Sequence, residues 1–417
     1  MDTLTVDVGS KYVGLCKWDG RSLHAERQPT GSPVTCWSGW IEALKPSEPY
    51  QLLFYSTHSG SSKMPATDDV ARLARDHGAH WVRVIAEDVA TDPALAAARY
   101  LAGRHRLSII AVAEIGAQHA TLAVQDARGG LLAFERCTFK AGLHEDLPGV
   151  AQSLQSLLYQ AASMSKPIDL HQIPLICFGG AGPEVAVRLA QDCDLKTILI
   201  PDDAGVFTAV GLLMTDIVMR FREQVKPAPL HLPDLRRAFG QLMDRVCTSV
   251  TMEGYDLDDT VCERVAEMSC TGDAEAIDVA CDNLADESQL VARFQEGRTT
   301  KIGRDDEASS IEVRAVRVHA TIETLKPELP VPPSADGKLD DAVLNVGDVR
   351  RSDVLRDAPV YGRDKFPVDV EVNGPALVQE RYTTTVIPSG WSVRLSPAGG
   401  LWLFDEQFSQ LRRRGSD

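Results

Sequence analysis

The chain has 417 residues, of which 44% are hydrophobic and 24% are charged, and its formal net charge is −16 at pH 7. This length is sufficient for two or three domains with hydrophobic cores, and the composition is typical of a globular protein. The strong negative charge argues against nucleic acid or an anionic membrane as a partner.

The N-terminal sequence MDTLTVDVGS contains neither a basic segment nor an apolar run, so nothing in it predicts a secretory signal peptide. No apolar run approaches the roughly 20 residues that a membrane-spanning helix needs. The nine cysteines include no CxxC pair, which argues against a zinc site or a disulfide framework. We therefore expect a protein of the reducing cytoplasm.

Residues 1–225 alternate short β-branched segments with amphipathic helical segments. This alternation predicts an α/β domain in which helices flank a mixed sheet. The predicted strands are LTVDV, LLFYS, HWVRVIA, LSIIAVAEI, ATLAV, LICF and TILIP.

Residues 226–260 are predicted to form a linker and one helix. The segment VKPAPLHLPDL, Val225 to Leu235, carries three prolines, and apolar residues then recur at helical spacing as far as Val250. From residue 261 to residue 417, strands and turns such as NGP and PSGW dominate. These residues are predicted to form a separate, β-rich C-terminal domain.

Two stretches place an acid and a glycine in a strand-turn-strand pattern. TVDVGSKYVGLCKW contains Asp7 and Gly9, and AVAEIGAQHATLAV contains Glu114 and Gly116. Backbone N–H groups of such turns can form a concavity that suits phosphate oxygens, and an acid beside the phosphates can hold Mg²⁺. Two ordinary β-hairpins with exposed acids would show the same pattern, so the hairpins alone leave both interpretations open.

A third segment, LICFGGAGPEVAVRLAQ, predicts a buried strand, a glycine-rich turn and a helix that Pro183 opens. Its glycines would let the backbone approach a flat or anionic ligand near the N-terminus of the helix. The glycine spacing differs from that of dinucleotide-binding turns, and a tight turn needed only for packing is the alternative. The candidate residues of this turn are Gly179, Gly180, Ala181 and Gly182.

The order of these three motifs resembles the superfamily of sugar kinases, heat-shock 70 proteins and actin. FGGAGPEVAVRLAQDCDLKTILIPDDAGVFTAVGLLMTDI, from Phe178 to Ile217, resembles the A-type subunits of the hydantoinase and 5-oxoprolinase family. That family includes the nucleotide-binding subunits of acetone and acetophenone carboxylases. The segments TLKPELP, APVYGRDKFP and NGPALVQERYTTTVIPSGWSVRLSPAGGLWL resemble its closing β-domain. The resemblance implies a duplicated, actin-like (ribonuclease H-like) ATPase domain followed by a β-rich C-terminal domain.

The resemblance also implies roles for individual residues. Asp7 and Glu114 would be catalytic, with Asp7 as a possible Mg²⁺ ligand. The first turn would hold phosphate through Gly9, Ser10 and Lys11, the second through Gly116, Ala117 and Gln118, and the glycine-rich turn from Gly179 to Gly182 would hold the adenosine.

In such proteins Mg-ATP phosphorylates an amide, enolate or bicarbonate oxygen. The implied partners are a hydantoinase B-type or carboxylase large subunit and a full-length A-type subunit. The substrate remains open among ketone, hydantoin, lactam and oxoproline.

The loops depart from the family pattern D-x-G-G-T-x-T-D. DVGSKYVG has Ser10, Lys11 and Gly14 in place of glycine, threonine and the last aspartate, and EIGAQHAT differs at most positions. These departures favour an alternative, in which the chain is a non-catalytic structural or regulatory subunit that has lost ATP and Mg²⁺. A free-standing kinase is a third, weaker interpretation, because it leaves the C-terminal resemblance unexplained. His119, within the second turn, either contacts a phosphate or has a local structural role.

Overall fold

A computed structural model describes most of the chain, and the account below concerns only the residues that it describes. These are residues 2–8, 12–29, 39–41, 44–47, 49–56, 67–85, 92–126, 130–164, 169–271, 275–281, 286–302, 310–329, 338–347 and 358–409. The chain divides into two compact units, one formed by Met1–Thr215 with Lys326–Asp417 and the other by Asp216–Leu325.

The first sheet contains five strands in the order β3-β2-β1-β4-β5. Strands β1 to β3 pair antiparallel, while β4 and β5 run parallel to β1. Leu4, Val6 and Val8 lie on one face of the central strand and are buried, and Thr5 on the opposite face is buried too, as expected for a strand covered on both faces. The bounds are β1 Asp2–Val8, β2 Tyr12–Trp18, β3 Leu23–Pro29, β4 Tyr50–Ser56 and β5 Ala79–Ile85, with helix α1, Thr67–Asp76, between β4 and β5.

The second sheet repeats this order, with β6, β7, β8, β9 and β10 in place of β1 to β5. Its first three strands are again antiparallel and its last two parallel to the first. This repetition confirms the predicted duplicated, ribonuclease H-like α/β fold. The bounds are helix α2 Pro93–Arg104, β6 Ile109–Ile115, β7 His119–Asp126, β8 Leu131–Thr138, α3 Leu143–Met164, β9 Leu175–Phe178, α4 Gly182–Asp192, β10 Thr197–Ile200 and α5 Phe207–Leu212.

The C-terminal segment is rich in strands, as predicted, and three of its strands extend the second sheet. β21, Leu401–Asp405, pairs antiparallel with β10, and β20, Trp391–Leu395, and β17, Glu371–Asn373, follow it. The remaining four strands form a small sheet, namely β15 Val343–Gly347, β16 Ala358–Gly362, β18 Ala376–Gln379 and β19 Thr384–Ile387. β21 forms backbone hydrogen bonds with the edge of β10 that would otherwise be unpaired. Residues 326–417 therefore belong to the same compact unit as residues 1–215.

The second unit is an antiparallel sheet, in the order β11-β14-β12-β13, with two helices. The predicted helical face is confirmed, since Leu235, Phe239, Leu242, Val246 and Val250 are buried. The bounds are β11 Ile217–Pro229, α6 Leu232–Met252, β12 Thr260–Cys270, β13 Ile277–Ala280, α7 Glu287–Ile302 and β14 Ile311–Ile322.

The domain boundaries therefore differ from the sequence prediction of 1–225, 226–260 and 261–417. Residues 216–325 form one unit, which takes in the end of the first predicted domain, the predicted linker and the start of the third. The proline-rich segment forms part of edge strand β11, whose register shifts between Gln224 and Ala228. Prolines are tolerated there because an edge strand has N–H positions that need no partner in the sheet.

Among the described helices, none combines the length and the apolar character that crossing a membrane requires.

Helices α2 and α5 pack closely at Gly211, where an added Cβ would overlap the carbonyl oxygen of Pro93 and lie 3.0 Å from Cβ of Ala97. Gly211→Ala is expected to lower the free energy of unfolding by about 1–3 kcal/mol, because the two helices must separate. Gly103→Ala in helix α2 is the matched control, since an added Cβ there meets nothing within 4 Å. Urea denaturation should show the control unchanged or more stable; equal losses in both variants would contradict the packing argument.

Candidate active site

The two candidate acids lie at matching points of the two repeats. Asp7 in β1 is in register with Gly14 of β2, and Glu114 in β6 is in register with Thr121 of β7. In each repeat the acid is the penultimate residue of the first strand. The duplication therefore brings together two carboxyl groups that are far apart in sequence.

Both acids line one cavity of about 550 Å³. This volume lies in the range of small-molecule sites, about 300–1,000 Å³. The glycine-rich turn contributes Gly179, Gly180 and Ala181, and the second turn contributes Gly116 and Ala117. The other lining residues are Tyr12, Gly14, Arg27, His119, Gly142, Leu143, His144, Glu184, Gly205 and Thr208.

Some predicted site residues are not part of the cavity lining. Gln118 is exposed, and its carbonyl oxygen accepts a hydrogen bond from the N–H of Phe139 at 2.7 Å. Gly182 is buried, with the sulfur of Cys177 3.3 Å from the position of an added Cβ. The predicted phosphate ligands Gly9, Ser10 and Lys11 lie outside the described residues.

The carboxyl groups have unusual protonation equilibria. Desolvation, followed by the charges of Glu114 and Asp92, raises the pKa of Asp7 to about 8. Desolvation, followed by the charge of Asp92, raises the pKa of Glu114 to about 8, although Thr121 donates it a hydrogen bond and Arg136 is nearby. A cation beside these groups would favour their ionised forms.

Asp92 is the third acid of this cluster, and the sequence analysis did not identify it. It is 1% exposed and forms an ion pair with Arg136 at 2.5 Å. Its carboxylate also accepts hydrogen bonds from the N–H groups of Ala94 and Leu95, so it caps helix α2. Asp followed by Pro at a helix start is a capping signal, but that signal does not predict the ion pair.

The glycine-rich turn is fixed against the end of β6. Gly179 has φ of 92°, and an added Cβ would overlap the carbonyl oxygen of Ile115, so only glycine fits there. That oxygen accepts a hydrogen bond from the N–H of Ala181 at 3.1 Å, and the N–H of Gly179 donates to the carbonyl oxygen of Ala204 at 2.9 Å. The turn thus packs tightly beside the acid-bearing strand, and two of its N–H groups are already used.

The second turn is closed in a similar way. The N–H of Gly116 donates to the carbonyl oxygen of His119 at 2.9 Å. The His119 ring lies 3.4 Å from the position of an added Cβ at Gly116. His119 therefore lines the cavity and also packs against this turn. A phosphate contact and a local structural role are thus compatible for this residue.

Removing Arg136 should destabilise the protein, because the buried Asp92 carboxylate would lose its ion pair. Arg136→Met is expected to lower the free energy of unfolding by about 3–5 kcal/mol, and adding Asp92→Asn should recover part of the loss. Arg72→Met, which removes an exposed pair with Asp69, should cost at most about 1 kcal/mol. Denaturant titration of the four proteins checks this, and no recovery in the double variant would contradict it.

The raised pKa of Glu114 predicts a pH-dependent stability. Between about 4.5 and about 8 the folded state holds a proton that the unfolded state releases, so stability should fall as pH rises through this range. Glu114→Gln should make the free energy of unfolding depend less steeply on pH, because it removes a group that contributes on the order of 1.4 kcal/mol for each unit by which its pKa is shifted. Denaturation in metal-free buffers across the range tests this; parallel profiles for variant and wild type would contradict it.

Comparison with known proteins agrees with the sequence resemblance. Residues 151–221 match the family model hydantoinase/oxoprolinase, and residues 229–398 match the model of the hydantoinase/oxoprolinase C-terminal domain. Caprolactamase subunit alpha of Pseudomonas jessenii is 27% identical over 253 residues, which are 57% of this chain and 36% of that protein. The acetone carboxylase beta subunit of Xanthobacter autotrophicus is 22% identical over 241 residues, 53% of this chain and 34% of that protein.

The chain spans only about a third of the length of the two curated relatives just described. Solved structures show the same fold over nearly the whole of this chain. A nucleotide-free acetone carboxylase structure has a TM-score of 0.69 at 11% identity and covers 97% of this chain and 99% of its own. The ATP-dependent caprolactamase of Pseudomonas jessenii has a TM-score of 0.61 at 13% identity and covers 97% of this chain and 100% of its own. The solved structures show the fold, and the two family-model matches, which together cover more than half of the chain, show that the chain belongs to the hydantoinase/oxoprolinase family.

Proposed function

We propose that the cavity binds Mg-ATP and that the chain is the nucleotide-binding subunit of an ATP-dependent multisubunit carboxylase or cyclic-amide hydrolase. The observation that carries the proposal is the duplication, in which Asp7 and Glu114 occupy matching strand ends and line the same cavity. A glycine-rich turn beside a strand end is a common setting for phosphate and nucleotide binding.

The residues of the cavity fit a magnesium ion. Mg²⁺ is usually bound by one or two carboxylates together with water and substrate phosphates, and Asp7 and Glu114 supply two carboxylates. Within the described part of the chain, no group of three or more His, Cys, Asp or Glu side chains forms a complete metal site.

The chain's own groups would then act mainly by position and charge, which is most of what phosphoryl transfer requires. Asp7 would orient the ion, and Glu114 would assist the ion or the nucleophile. Gly116 and Ala117 would lie beside the phosphates, and the turn from Gly179 to Gly182 beside the adenosine. Bound ATP would supply the phosphoryl group for an amide, enolate or bicarbonate oxygen.

The relatives suggest the wider context. Their names include caprolactamase subunit alpha, 5-oxoprolinase and acetone carboxylase beta subunit. The partner would be a hydantoinase B-type or carboxylase large subunit, with a full-length A-type subunit as a further candidate. The substrate would be a lactam, hydantoin, oxoproline or ketone.

The test is calorimetric titration of the chain, alone and with its B-type partner, with Mg-ATP. Asp7→Asn and Glu114→Gln should each weaken binding about tenfold or more, since each removes a charge that would face the ion. Asp76→Asn is the control, because Asp76 is exposed at the end of helix α1. Unchanged affinity in both cavity variants would refute the assignment of the site.

A second candidate function is a non-catalytic subunit. It is favoured by the N–H groups of Gly116, Gly179 and Ala181, which donate to backbone carbonyl oxygens and are therefore not available to phosphates. This alternative predicts no Mg-ATP binding, either by the chain or by its complex, while a tagged chain still co-purifies with the B-type subunit. Micromolar binding that depends on Asp7 would exclude it.

A further inference from the structure

Arg27 is held in the cavity between two aromatic rings. It lies on β3, in register with Gly14 of β2. Its guanidinium carbon is 4.2 Å from the centre of the Tyr12 ring and 5.0 Å from the centre of the Tyr382 ring. Stacking of this kind stabilises a cation and leaves the N–H groups at the edge of the guanidinium available for other partners.

The glycines of the cavity allow this placement. Nη1 of Arg27 is 3.6 Å from the position of an added Cβ at Gly180 and 3.3 Å from that at Gly205. The guanidinium therefore lies beside the glycine-rich turn that is proposed to hold the nucleotide. A side chain at position 180 or 205 would compete with it for space.

Tyr382 is supplied by the C-terminal segment. It lies in the turn between β18 and β19, which closes through a hydrogen bond from the N–H of Glu380 to the carbonyl oxygen of Thr383 at 2.9 Å. The buried Arg363 pairs with both Glu380 and Asp202, which ties this turn to the loop before Gly205. The position of the aromatic ring is thus set by an ion-pair network and not by the turn alone.

The guanidinium is the most available positive charge of this site. Among the described residues that line the cavity, Arg27 is the only lysine or arginine. Within the same described part of the chain, its contacts are the two aromatic rings, and no hydrogen bond or ion pair uses its N–H groups. Planar, unpaired donors next to a nucleotide-sized cavity match the oxygen atoms of a phosphate.

We propose that Arg27, positioned by Tyr12 and Tyr382, binds a phosphate group of the ligand in this cavity. The proposal rests on the proposed function for the nucleotide, and it adds the residue that recognises the anionic part. It also gives the C-terminal segment a part in ligand binding, through the ring of Tyr382.

The test compares Mg-ATP, tripolyphosphate and adenosine as ligands of the full chain, by calorimetry. Arg27→Met should weaken binding of Mg-ATP and tripolyphosphate about 10- to 100-fold, because it removes charged hydrogen bonds, and should leave adenosine unchanged. Arg27→Lys should lie in between, since it keeps the charge but loses the planar donors. Tyr382→Leu should weaken both phosphate ligands less than Arg27→Met does.

Arg21→Met is the matched control, since Arg21 is exposed in the turn before β3 and is not part of the cavity lining. Denaturation midpoints establish that each variant is folded. Unchanged or tighter binding of phosphate ligands by Arg27→Met would overturn the proposal, and tighter binding would mean that Arg27 obstructs the cavity.

The outcomes separate this proposal from the proposed function. Mg-ATP binding that depends on Asp7 but not on Arg27 would overturn only the role of Arg27. Tripolyphosphate binding that depends on Arg27, without any binding of Mg-ATP, would support the anion site and overturn the nucleotide assignment. Failure of the folded chain to bind either phosphate ligand, both alone and in complex with its B-type partner, would overturn both.

Discussion

Burial of three interacting carboxyl groups beside one guanidinium is the constraint on which the cavity depends. Desolvation raises the pKa of Asp7, Glu114 and Asp92, and Arg136 offsets part of this effect at Asp92, with which it forms an ion pair. Ionising both Asp7 and Glu114 in a site that water only partly reaches is unfavourable unless a cation is present. A bound divalent ion would therefore stabilise the folded chain as well as hold a ligand, since binding to the native state alone stabilises it.

The same ion pair connects the site to the packing of the fold. Asp92 caps helix α2, and that helix packs against helix α5 where Gly211 approaches Pro93. Thr5 of β1, two residues before Asp7, donates a hydrogen bond to the carbonyl oxygen of Ala209 in α5 at 2.7 Å. The strand that carries Asp7 is thus fixed to the second repeat by contacts that start at the capping acid.

The end of the chain completes the same unit. β21 covers the open edge of β10, and the turn that carries Tyr382 contacts the loop at Gly205. Arg363 reinforces this contact by pairing with acids from both segments. The region that resembles the family's closing β-domain therefore supports the cavity indirectly, because Tyr382 packs against Arg27 and close to Gly205, which both line it.

Local signals in the sequence predicted the parts of this protein that depend on neighbouring residues. The acids near the ends of β1 and β6, the tight turn at Gly179 and the apolar face of helix α6 follow from periodicity and from the left-handed backbone that glycine adopts. The repeated order of these motifs, with their resemblance to a known family, also indicated the duplicated fold before any contact was known. The proline-rich segment was the exception, because a local signal cannot distinguish a linker from an edge strand.

The remaining features bring together residues that are distant in sequence. Asp92 meets Arg136, Arg27 meets Tyr382, and β21 lies beside β10 only because two sheets are assembled in a particular strand order. Periodicity carries no information about which strand edges or which opposite charges will meet, since those pairings depend on the packing of the whole unit. The sequence by itself therefore determined the chemistry available at each strand end, and the tertiary structure decided which of these groups share one cavity.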